Sequence, residues 1–210
     1  MIKNLRYIRL DAPTYLPSPG TQSLVIGMPN LQEFSGHFTN EVFSGIPNIK
    51  KLISHLTYFQ NRIPDWQLDM SRLTKLKAFK FYGSYLSSTV MMLPNLEELK
   101  LKNCQTLIDE WILSDEDKFK SLKLLLLSNT NLKCWEASSD NFPNLKRLVL
   151  KECHDLQETP AEFGEICTLE SIELHDCSTT AENSATNIVQ EQEDMENYFL
   201  NIYIHNIRRK

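Results

Sequence analysis

Apolar and polar residues alternate in short bursts along this chain, and the bursts recur. Leu93 to Cys104 reads LPNLEELKLKNC, and Phe142 to Cys153 reads FPNLKRLVLKEC. Both reduce to apolar–Pro–Asn–Leu–x–x–Leu–x–Leu–x–x–Cys. In the first copy Leu99 and Leu101 alternate with Glu98, Lys100 and Lys102; in the second Leu148 and Leu150 alternate with Arg147, Val149 and Lys151. A period of two over so few residues predicts a short strand with one face buried.

The same template runs through the rest of the chain. Copies start at Leu5, Leu31, Ile49, Leu76, Leu96, Leu122, Leu145 and Leu169. Most starts lie roughly 20–27 residues apart, the spacing of leucine-rich repeats; the interval from Leu31 to Ile49 is shorter. The expected fold is therefore α/β: a curved leucine-rich-repeat solenoid with a parallel β-ribbon on its concave face and loops and short helical turns on its convex face. About eight repeats fill residues 1–177. Leu5 already belongs to a strand with no polar cap ahead of it, so the array is expected to start part-way, with its N-terminus truncated.

Beyond Cys177 the pattern changes. Residues 178–210 form a second unit, a polar and acidic connection followed by a terminal capping strand. STTAENSATN carries few large apolar residues, whereas Ile188, Val189 and Met195 share a possible helical face. Phe199, Ile202 and Ile204 then repeat the spacing of Leu169, Ile172 and Leu174, with Arg208, Arg209 and Lys210 as a basic end. An independent amphipathic tail helix is the competing reading. Among the connectors, Ser23 to Ile26 are expected to add an outer strand and Val42 and Phe43 to tuck under the next repeat. Residues 105–121 are expected to make a helical turn with Leu107, Trp111 and Ile112 facing inward and Asp115, Glu116 and Asp117 in water.

Charge and chemistry narrow the function. A net charge of −5 gives no electrostatic reason to expect nucleic acid or an acidic membrane. No apolar run approaches the ~18 residues of a membrane span, and no secretion signal opens the chain. The five cysteines lack metal-ligand spacing, and Cys104, Cys153 and Cys177 all occupy the inward position after a strand. Their odd number and the missing N-x-[ST] sequons point to a reducing, cytoplasmic setting. Neither catalytic residues, a metal nor a cofactor is expected: His37, His55 and His175 sit on different repeats with no nucleophile placed beside them.

What remains is protein binding. Residues between the inward leucines face the concave side, where Lys80, Tyr82, Lys100, Lys102, Arg147 and Lys151 form a basic patch around Leu124, Leu126 and Val149. Apolar residues inside a charged ring are the pattern of an interface centre with a polar rim. A ribbon of nine strands spaced about 4.8 Å presents a face on the order of 600 Å², smaller than the ~800 Å² per partner of a standard interface.

The PNL openings, the Cys after the strand and the uneven spacing resemble the C-terminal repeats of plant coiled-coil nucleotide-binding leucine-rich-repeat disease-resistance proteins. LKECHDLQETPAEFGEICTLESIELHDC is most like the late blight resistance proteins of the nightshade family. The resemblance covers only the repeat region of such receptors. It implies a protein-interaction domain of an intracellular immune receptor, with pathogen effectors or the receptor's own nucleotide-binding module as partners, and a part in restraining the nucleotide switch. No G-x-x-x-x-G-K-[ST] occurs, so any nucleotide binding belongs elsewhere. The substrate-recognition repeats of an F-box ubiquitin-ligase receptor are the alternative.

Overall fold

The computed structural model describes residues 5–9, 29–36, 46–55, 70–82, 90–91, 93–104, 109–196 and 198–206. Nine strands form one sheet in which each described neighbour pair is parallel: β1 (Tyr7–Arg9), β2 (Glu33–Gly36), β3 (Lys51–His55), β4 (Ala78–Tyr82), β5 (Glu98–Lys102), β7 (Leu124–Ser128), β9 (Arg147–Lys151), β10 (Ser171–His175) and β11 (Asn201–His205). The order follows the sequence, so each turn of chain lays its strand beside the last. On the convex side, β6 (Glu110–Ile112) and β8 (Cys134–Glu136) make a separate parallel pair. The expected outer strand at Ser23–Ile26, the apolar pair Val42–Phe43, Leu107 and the basic end Arg208–Lys210 lie outside the described residues.

The repeat leucines form the core. Leu99, Leu101, Leu125, Leu127, Leu148, Leu150, Ile172 and Leu174 are all wholly buried. Register is uniform, with Leu99 opposite Leu125 and Leu148 opposite Ile172. A slip of one residue would turn every leucine to solvent, so the apolar pattern locks the pairing. The short interval between Leu31 and Ile49 does not disturb it: Glu33 pairs with Lys51 and Phe34 with Leu52.

The asparagine of three Pro-Asn-Leu or Pro-Asn-Ile openings clamps its repeat to the one before. Asn48 Nδ2 donates to the Pro29 carbonyl at 2.6 Å, Asn95 Nδ2 to Thr74 at 2.7 Å, and Asn144 Nδ2 to Lys120 at 2.8 Å. Ser121 and Thr168 hold the same position and reach Pro94 and Pro143 with their hydroxyls. These bonds satisfy turn carbonyls that the strand ladder leaves unpaired. After β5, β7, β9 and β10 comes a left-handed residue: Asn103, Asn129, Glu152 and Asp176 have φ between 51° and 54°. Asn and Asp tolerate that region better than Glu does. The following thiols, Cys104, Cys153 and Cys177, are buried as expected. Each donates to the carbonyl two residues back, at 3.4–3.6 Å.

The convex side departs from expectation over residues 109–121. At Glu110–Ile112 the chain is extended, not helical, because β6 pairs with β8 and brings Trp111 face to face with Trp135, with ring centroids 5.4 Å apart; separate turns follow it. Period two then turns Ile112 outward, and it is 56% exposed. Phe119 stacks on Phe142 at 5.1 Å, and Phe142 meets Phe163 edge-on at 5.5 Å, so aromatic rings fill the convex layer of successive repeats. Asp117 is not merely solvated. Its Oδ2 accepts from the Ser114 backbone N–H at 2.8 Å and from the Ser114 hydroxyl at 2.7 Å.

A helix precedes the last strand. α1 (Thr179–Asp194) starts within STTAENSATN, because Ser178 caps it by accepting from the Ala181 N–H at 3.1 Å. Ala181, Ala185, Ile188 and Val189 form its buried stripe, the spacing of one helix face. Small residues suit a helix pressed against the turn at Ala161–Glu165 and against β11. Met195 lies past the helix end and is exposed. β11 continues the ribbon in register with β10, Ile202 opposite Ile172. Phe199 is exposed, while the adjacent Leu200 is buried.

Candidate functional site

The ribbon places the concave residues in three rows across the strands. One row runs Ala78, Glu98, Leu124, Arg147 and Ser171; the middle row runs Lys80, Lys100, Leu126, Val149 and Glu173; the third runs Tyr82, Lys102, Ser128, Lys151 and His175. The nine residues expected to bind a partner thus sit on four neighbouring strands of one face, β4, β5, β7 and β9.

Their environments are not equal. Lys100 Nζ lies 2.6 Å from Glu98 Oε2, and Arg147 Nη2 lies 2.6 Å from Glu173 Oε1, so two of the five cations are neutralised within the face. Lys80 Nζ sits 4.8 Å from the centre of the Tyr82 ring, an attraction that leaves its charge intact. Lys102 and Lys151 form no ion pair with another described residue. Leu124 and Leu126 are half-buried. Val149 departs from expectation. It lies on the concave face but is only 4% exposed, because this short side chain is flanked by Leu126, the Arg147–Glu173 pair and Lys151. The face therefore has an apolar centre at Leu124 and Leu126, with Val149 as its floor and free positive charge concentrated on the third row.

No family model matches the chain. Curated relatives do. The late blight resistance protein homolog R1B-12 of Solanum demissum is 42% identical over 125 residues, 59% of this chain. Homolog R1B-16 of the same species is 39% identical over 141 residues, and R1B-23 is 33% identical over 179, reaching 72% of this chain. The chain is similar to the late blight resistance protein homologs over as much as 72% of its own length. It spans 9–14% of the length of these three relatives. The match and the solenoid together make it leucine-rich-repeat sequence of the plant disease-resistance kind.

In this resistance-protein relative the third row holds a further feature. His175 stacks on His205 of β11, with ring centroids 4.9 Å apart. Burial pushes the His175 imidazole below its ordinary value, and the charges of Lys151 and His205 push the same way. His205 extends the row by one strand, and only the pairing of β11 with β10 brings it there. Of the other two histidines expected on the concave face, His55 lies opposite Tyr82 on β4, and His37 falls outside the described residues. Among the described residues no three metal-ligating side chains converge, and no helix is long and apolar enough to cross a membrane.

The sequence reading missed how the face is neutralised. Glu98 and Glu173 are visible as concave residues, but their engagement with Lys100 and Arg147 depends on side-chain reach across and along strands. The register gave one usable signal: Glu173 falls directly beside Val149 and hence diagonal to Arg147.

Proposed function

We propose that residues 1–177 act as a protein-recognition array in an intracellular immune receptor, with residues 178–210 closing its end. In this reading the array binds an acidic protein surface through its concave face. That surface belongs either to a pathogen effector or to the receptor's own nucleotide-binding module, and in the second case binding restrains the switch. One observation carries the reading: Leu124 and Leu126 stand half-exposed at the centre of the ribbon, beside Lys80, Lys102 and Lys151, which form no ion pair among the described residues. A half-exposed apolar pair ringed by uncommitted cations fits a partner with a greasy centre and a carboxylate rim.

The face is small, so long-range attraction should govern the encounter more than buried area does. The test combines Leu126→Glu with Lys102→Glu in the full-length receptor. Neither side chain belongs to the core cluster beyond Leu127 and Leu101, so the fold should persist by circular dichroism. Cell-death signalling should then change, either losing its response to the effector or firing without it. Unchanged signalling in both conditions, with the protein folded, would reject the face as the recognition surface.

A further inference from the structure

The buried cysteines are not equivalent. The position after the strand holds Cys104, Thr130, Cys153 and Cys177 in four consecutive repeats. Thr130 separates Cys104 from the others, and its hydroxyl lies 3.7 Å from Cys153 Sγ. Two strand spacings of about 4.8 Å put Cys104 and Cys153 beyond the ~7 Å limit for a bridge. Cys153 and Cys177 have nothing between them. Their strands pair in register up to Lys151 and His175, and the ladder continues past both: Glu152 N–H donates to His175 O at 2.8 Å and Ser178 N–H donates to Cys153 O at 3.1 Å. Neighbouring positions in such a ladder fall inside the Cα separation a disulfide accepts. All five cysteines are free thiols.

We propose that Cys153 and Cys177 form a peroxide-oxidisable dithiol that closes to a disulfide and so locks the last inner repeat to the root of α1. Their chemistry is unequal in the way such a pair needs. Cys153 is 1% exposed, and its Sγ lies 3.4 Å from the Lys151 carbonyl. Cys177 is 9% exposed, and stands one residue before the N-cap of α1, where helix-end N–H groups favour a thiolate. Contact with Cys153 pulls the Cys177 thiol down, although burial opposes it, and the same contact and burial raise Cys153. Cys177 is therefore the attacking sulfur and Cys153 the resolving one. The Cys177 thiolate attacks one peroxide oxygen and the O–O bond breaks; with one proton taken up, the products are a sulfenic acid and water (from hydrogen peroxide). The Cys153 sulfur then displaces the sulfenic oxygen, which leaves as a second water with the thiol proton and the hydroxyl hydrogen. The peroxide accepts the two electrons that the thiols lose.

The bridge would tie together two segments that already meet through Ser178. Its hydroxyl donates to Leu156 O and caps α1, and Thr180 Oγ1 reaches the same carbonyl at 3.2 Å. Oxidation thus stiffens the junction that carries α1 and β11 without moving a strand.

The experiment treats the folded 210-residue chain with hydrogen peroxide, blocks remaining thiols, and maps disulfides by mass spectrometry before and after dithiothreitol. The expected result is one reducible Cys153–Cys177 link, unchanged in Cys104→Ser, and a higher melting temperature for the oxidised form. In Cys153→Ser, whose fold is checked by its melt, Cys177 should stop at a sulfenic acid trappable by dimedone. Four results would overturn the proposal: a link involving Cys104, Cys134 or Cys167 instead; sulfinic acid at Cys177 with Cys153 present; oxidation confined to the exposed Cys167; or a bridge that leaves the melt unchanged or lowers it.

Discussion

Asn141 holds the convex layer together, and its removal should be among the costlier polar changes in the chain. The residue is 1% exposed. Its Nδ2 donates to the carbonyls of Ser114 and Asp117, each at 2.8 Å, and its Oδ1 accepts from the Ser138 N–H at 2.6 Å. One side chain thus ties the turn after β6 to the repeat that carries Phe142. Asn141→Ala deletes these three bonds, along with a longer one from the Ser138 hydroxyl at 3.2 Å; the Asp117 carbonyl and the Ser138 N–H lose the Asn141 side chain as partner, while the Ser114 carbonyl keeps the Asp117 N–H at 3.0 Å. At a net of roughly 1 kcal/mol per bond, the loss is about 3 kcal/mol, and more where water cannot reach the freed groups. That is a large part of the ~5–15 kcal/mol of a typical domain. Urea unfolding followed by tryptophan fluorescence is a suitable assay, because Trp111 and Trp135 stack in the layer that Asn141 braces. With a slope near 2 kcal/mol per molar, the midpoint should fall by about 1.5 M. Asn141→Asp should be no milder: it loses both donors and sets a carboxylate against two carbonyl oxygens. A midpoint shift below about 0.3 M for Asn141→Ala would refute the assignment, and so would full stability of the aspartate variant.

Three further outcomes concern the thiols and a surface bridge. In the reduced native protein a bulky maleimide should modify the exposed Cys167 quickly and Cys104, Cys153 and Cys177 slowly, and Cys153→Asp should cost roughly 3 kcal/mol or more through a buried, unpaired charge; rapid native labelling of all three inward thiols would contradict their placement. Glu97 bridges Lys77 at 2.8 Å and Lys123 at 2.9 Å, and hydrogen bonds from these two lysines hold its carboxyl below the ordinary 4.5. A depressed carboxyl stabilises the fold above its unfolded value, and the contribution is lost as pH falls through the folded one. Glu97→Gln should therefore flatten the acid loss of stability below about pH 4.5, by less than ~1 kcal/mol because the lysines are exposed; an unchanged slope in acid urea titrations would show that the bridge carries no net energy.

The repeat pattern by itself determined the strand positions, their inward faces and their register. Burial of Leu99 and Leu101 or Leu148 and Leu150 leaves only one alignment of neighbours, and a period-two pattern cannot slip by one without exposing the core. It likewise determined that Cys104, Cys153 and Cys177 point inward, and that Lys80, Lys102 and Lys151 share a face with Leu126. Even the last strand was legible, because NIYIHN echoes SIELHD. The convex side was not legible, since the extended segment at Glu110–Ile112 exists only because β8 lies beside it and two indoles stack there. Helix α1 hid in a polar stretch, because a close helix–turn contact calls for alanines, which carry little hydrophobic signal. Side-chain partnership was the other decision of the tertiary structure. Whether a cation pairs, as Arg147 does with Glu173, or forms no ion pair among the described residues, as Lys102 does, and whether Val149 meets water, depends on what neighbouring strands extend across the surface; these are distances between atoms far apart in sequence, and no local pattern encodes them.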